Sequence, residues 1–191
     1  MSDESDDDFD LDDYPSLIAG VRFVKSIQHV PWFVHAGRPF EPDLGEIGLA
    51  YAAALGFPGV AVAAAEWADA AQLAADPDLA SPDIEGQLAG ALAEEAAATV
   101  GPDNLEAALA DAGNIVQTAV RELAIQRAAQ VGYDDEETLN AALEAAHGVC
   151  QGALLVVLAV GEEDHPFARK YRLFERGRWP IGIIGETLHL L

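Results

Sequence analysis

The sequence predicts a mainly α fold, a compact bundle of five to six helices closed by a small C-terminal β-hairpin, and three observations point there. Alanine, the strongest helix former, fills 37 of the 191 positions. Cap and stop residues divide residues 41–161 into helix-length segments. The last stretch, residues 178–191, has an alternating apolar pattern around a Gly-Glu pair instead.

The chain opens with MSDESDDDFDLDD, eight acids and no base among thirteen residues. Such a segment buries too little apolar surface to offset the entropy of ordering, so residues 1–13 read as a disordered acidic tail. The remainder, residues 14–191, reads as a single mainly helical domain, a length that sustains one core.

Leu17, Val21 and Val24 recur at helical spacing, which predicts a first helix after Pro15. Val30 to Val34, following a proline, reads as a short extended piece. Further helices are expected near 44–55, 66–75, 82–99, 103–131 and 135–160. Their starts are the pairs Asp43 with Glu46, Asp103 with Glu106 and Asp134 with Glu137, together with Ser81-Pro82. Their stops are Gly56, Gly101, Gly132 and Gly161, and Gly113 is a candidate break in the fourth. Gly59 to Ala64 fits a strand by its alternating valines and a helix by its alanines.

After His165-Pro166, residues Phe167 to Arg176 read as a short basic helix. Arg178 to Leu191 reads as the hairpin, with Gly185-Glu186 at its turn and Pro180 marking an edge strand. Trp179, Ile181 and Ile183 are expected on one face with Leu188 and Leu190. That face needs cover, either on the helices or by pairing with Val30 to Val34.

The formal net charge is −23, and it is unevenly spread. Residues 41–164 hold 23 acids against Arg121 and Arg127, whereas residues 165–191 reverse sign, with Arg169, Lys170, Arg172, Arg176 and Arg178 against Glu175 and Glu186. A surface so negative repels polyanions, which excludes nucleic acid as the principal partner. The basic stretch, interleaved with Tyr171 and Trp179, is expected to pair with the protein's own acidic helices or with an acidic partner.

One cysteine, Cys150, forms no intramolecular disulfide, and the N-terminus is acidic where a secretory leader is basic and then apolar. The longest apolar run, Val149 to Val160, is interrupted by Gln151 and Gly152 and falls short of the roughly 20 residues of a membrane span. The expectation is a cytoplasmic protein without membrane contact.

No nucleophile elbow, phosphate loop or His-Glu-x-x-His appears, so neither cofactor nor metal is expected. His147 and Cys150 stand three apart on one helix, and Cys150 lies on the apolar Leu143, Ala146, Leu154, Val157 stripe, which predicts a buried, inert thiol. Two function classes follow. One is a non-enzymatic interaction or regulatory protein that meets a protein partner through its acidic helices or its basic stretch. The other is a small hydrolase or transferase with a His/Arg pocket between the N-terminal aromatic segment and the basic stretch. The residues singled out for binding are Trp32, His35, His165, Arg169, Arg172, Arg176, Arg178 and Trp179.

Overall fold

The computed structural model describes residues 15–41, 43–133 and 135–191, so the acidic segment 1–13 and Tyr14 lie outside the described residues. Among those residues the helices are α1 (Pro15–Ser26), α2 (Leu44–Ala54), α3 (Trp67–Ala74), α4 (Ser81–Val100), α5 (Pro102–Ile115), α6 (Arg121–Val131), α7 (Glu136–Leu158) and α8 (Pro166–Glu175). A π-helical segment, Val116–Val120, joins α5 to α6 without a break, so the described residues form seven rods. The three strands are β1 (Ala61–Ala64), β2 (Pro180–Ile184) and β3 (Thr187–Leu190). The fold is thus mainly α with the C-terminal hairpin expected from its alternation.

Helix α7 is the axis of the bundle and packs against α1, α3, α4, α5, α6 and α8. It is long and apolar enough to cross a membrane, yet 61% of that window is buried within the fold. Its start is capped by Asp135, whose carboxylate accepts hydrogen bonds from the Thr138 amide at 2.9 Å and hydroxyl at 3.1 Å. The expected cap, Asp134, lies outside the described residues. Gly101 (φ 82°) followed by Pro102 separates α4 from α5, as the Gly-Pro pair implies. Ala80 and Gly101 hold the N-cap positions where Ser81 and Asp103 were expected. Ser81 is turned inward and is only 2% exposed. Gly113 does not break the helix.

The Val30 to Val34 segment forms no strand. Val30 (φ −71°, ψ 134°) and Pro31 link two 3₁₀ turns, Ile27–His29 and Trp32–His35, and the second takes in Trp32 to Val34. A strand would send Trp32 and Phe33 to opposite faces. The turn instead buries both in one core, at 0% and 1% exposure. The Trp32 indole N–H donates to the Ile27 carbonyl at 2.9 Å and ties the turn down.

The hairpin therefore pairs elsewhere, with Ala61–Ala64, which is the strand within residues 59–64, and Gly59 and Val60 lead into it without forming helix. The sheet order is β1-β3-β2, with β1 parallel to β3 and β2 antiparallel to it. The expected common face of Trp179, Ile181 and Ile183 is split by a bulge between Pro180 and Gly182. Trp179, Ile181 and Leu191 enter the main core, while Ile183, Leu188 and Leu190 enter a second core with Tyr51, Leu55 and Leu173. Gly182 holds a φ of 152°, and a Cβ there would meet Leu79 Cδ1 at 2.5 Å and Ser81 Oγ at 2.6 Å. Only glycine fits that crossing.

Candidate functional site

The basic stretch forms as α8 because Phe167, Tyr171 and Phe174 bury one side of a short helix in the main core and Leu173 buries another in the second core, leaving its bases between and beyond them. Each base then finds a partner within the chain. Arg169 meets Asp164 at 3.5 Å, Arg172 meets Glu163 at 3.4 Å, and Arg176 meets Asp43 at 2.9 Å with Glu41 at 4.0 Å. Arg178 is 2% exposed, and its two terminal nitrogens donate to the carbonyls of Arg38 (2.8 Å) and Pro39 (2.7 Å). Burial is the main force pulling its pKa down, with Glu41 opposing and Arg38 and Arg127 adding to the pull.

Trp32 and Trp179 stand in the core rather than on a binding surface, at 0% and 1% exposure. The N-terminal and C-terminal aromatic segments meet ring on ring, Trp32 to Phe174 at 5.1 Å and Phe33 to Trp179 at 6.1 Å. Their apolar bulk closes one core between them. The two candidate histidines mark opposite ends of α8. His165 caps its start, its Nδ1 accepting from the Phe167 amide at 3.2 Å, while His35 Nδ1 lies 3.1 Å from the Arg176 carbonyl beyond its end. The ten residues of α8, about 15 Å of helix, lie between these two contacts.

Lys170 joins a largely buried polar group. Its ammonium donates to both oxygens of Glu85, at 2.9 and 2.7 Å, with side-chain exposures of only 12% and 16%. Tyr51, fully buried on α2, donates its hydroxyl to Glu85 Oε1 at 2.6 Å, and its ring centroid lies 5.9 Å from the ammonium. Burial, then the Glu85 charge, holds the Tyr51 phenol protonated well above its ordinary value. Glu85 and Lys170 line a cavity of about 420 Å³ between α4, α7, α8 and β2, whose inner wall includes Phe167, Trp179, Ile181 and Leu155. That volume suits a compact ligand or a large side chain.

A second concavity of about 620 Å³ lies beside it, between α3 and the start of α7, lined by Asp135, Glu136, Glu137, Glu144 and the alanines of α3. None of these four acids forms an ion pair among the described residues. A third cleft, about 570 Å³ between α4, α5 and α7, carries His147. Gly113 makes room for that ring, since a Cβ there would stand 3.2 Å from Nε2. Cys150, fully buried on the same helix, has its thiol pushed up by burial. Among the described residues no group of three or more His, Cys, Asp or Glu side chains is placed to hold a metal ion.

Sequence reasoning missed the Tyr51, Glu85, Lys170 group. Its members are drawn from three helices, with 85 positions between Glu85 and Lys170, and no local spacing links them. The one available signal was that Lys170 is the lone lysine of the basic stretch, and it was read with its neighbours. No family model, no curated protein and no solved structure matches this chain.

Proposed function

We propose that the protein is a non-enzymatic interaction protein that engages a cationic partner through the acidic surface of its helices. The observation that carries this reading is the internal use of the bases. Arg169, Lys170, Arg172 and Arg176 take up Asp164, Glu85, Glu163 and Asp43, and Arg178 is held by carbonyl oxygens. The other acids of residues 41–164 have only Arg121 and Arg127 in their own stretch, and Arg127 is spent on the Ala36 carbonyl at 2.6 Å and on Gln130.

Four of the acids left over, Asp135, Glu136, Glu137 and Glu144, line one concavity. Like charges held together on a fixed scaffold repel, and a basic surface or peptide relieves that repulsion while the field steers its approach. The partner is accordingly rich in lysine or arginine. The basic stretch contributes to the fold and is not offered to a ligand.

The test is titration calorimetry of the whole protein with pentalysine at low ionic strength, with pentaglutamate as control. Pentalysine is expected to bind and to weaken steeply as salt rises, because screening over about 8 Å sets in at physiological ionic strength. The double variant Glu136→Gln/Glu137→Gln is expected to weaken binding severalfold. An absence of pentalysine binding at low salt would end this reading.

A further inference from the structure

We infer that the acidic concavity and the neighbouring cavity form one composite docking site for a basic peptide segment with an apolar side chain between its lysines or arginines. The inference rests on the cationic-partner reading and adds where the partner seats and what it must carry. Ala74, Ala141 and Glu144 line both concavities, so the two are contiguous. One stripe of α7 runs Glu137, Ala141, Glu144, Gly148, at spacings of four, three and four. Its first half borders the acidic concavity and its second half borders the cavity.

The charges are arranged to sort a ligand's parts. Within the cavity the ammonium of Lys170 is already held by both oxygens of Glu85, which leaves an interior of apolar wall and matched charge that suits a neutral apolar side chain. At the rim, Glu144 is exposed and has no ion pair among the described residues, and Glu136 and Glu137 continue the negative edge. A cation is attracted there and not inside.

Two glycines keep the mouth open. Gly86 on α4 and Gly148 on α7 both line the cavity, and nothing lies within 4 Å of a Cβ built on either. Glycine inside a helix weakens it relative to alanine. The helical Gly45 and Gly90 are equally open but border neither concavity, whereas Gly86 and Gly148 flank the cavity from α4 and α7, and the surrounding charge favours a basic occupant there.

The experiment compares two peptides on the full chain at low ionic strength, Lys-Lys-Phe-Lys-Lys and Lys-Lys-Ser-Lys-Lys. The phenylalanine peptide is expected to bind about tenfold more tightly, the share of a buried aromatic ring that survives the loss of freedom on binding. Gly148→Leu, which projects a side chain into the mouth, is expected to remove that advantage while leaving the serine peptide unchanged. Gly86→Leu, on the opposite wall, serves as the second variant. Equal affinity for the two peptides overturns the composite site and leaves the acidic reading standing. Retention of the phenylalanine advantage in both leucine variants also overturns it, since the ring would then seat elsewhere. If neither peptide binds, both readings fall together.

Discussion

Gly152 of α7 lies directly beneath the ring of Phe167 at the start of α8, and a Cβ at Gly152 would stand 2.6 Å from both Cγ and Cδ1 of that ring. The contact sets how closely the two helices approach, and Phe167 is 4% exposed as a result. One turn earlier on the same helix, Gly148 has nothing within 4 Å of the equivalent position. The two glycines predict opposite outcomes. Gly152→Ala should cost about 1–3 kcal/mol through overpacking, whereas Gly148→Ala should gain about 0.5–1 kcal/mol in helix propensity. Urea unfolding measures both, and shifts of the same sign would contradict this packing.

Val160 ends α7 in the left-handed region, with a φ of 56°. The Gly161 amide donates back to the Val156 carbonyl at 2.8 Å, the bond of a left-handed helix terminus. The sequence places a glycine one residue too late for the strained position. Val160 is 73% exposed, so its side chain contributes little burial. Val160→Gly should therefore raise stability by about 1 kcal/mol, seen as a higher midpoint with an unchanged denaturant slope.

His165 caps α8 only while its Nδ1 is free of a proton, because that atom accepts from the Phe167 amide. Burial holds the imidazole below its ordinary value of 6.5, with Asp164 opposing. The folded chain thus binds fewer protons here than the unfolded chain. The contribution is complete above 6.5 and is lost as pH falls through the lowered value. His165→Ser supplies a cap that does not titrate. Relative to this variant, the native protein should lose about 1 kcal/mol between pH 7 and pH 5. Parallel stability curves for the two would refute the role.

Cys150 is fully buried, and burial raises its thiol above the ordinary value of 9.0. Tyr51 and Tyr171 are raised from 10.0, again chiefly by burial. Groups raised in this way favour folding below their unfolded values and lose that contribution as pH climbs. Stability should fall from about pH 9 upward, first through Cys150. Cys150→Ala should delay that onset, and the native thiol should resist a disulfide reagent at neutral pH. Rapid labelling of the folded protein would contradict the burial.

The amino-acid sequence by itself determined what depends on neighbours along the chain. Gly101-Pro102 separates two helices because only glycine takes that φ and proline begins a helix without an amide to satisfy. Gly185-Glu186 turns the hairpin, and Pro180 keeps its strand at an edge. The Leu143, Ala146, Cys150, Leu154 stripe of α7 is buried as its spacing implies. Only the tertiary structure decided what depends on distant partners. Trp32 and Phe33 turn rather than extend because both must reach one core. Ala61–Ala64 becomes a strand because β3 presents a free edge to it. The bulge at Gly182 sends Trp179 and Ile183 to different cores. Glu85 meets Lys170, and the acids of α7 have no ion pair among the described residues, because ion pairs form between whichever helices packing brings within 4 Å. Local propensity is written residue by residue, whereas apposition across the bundle is the outcome of burying all apolar faces at once.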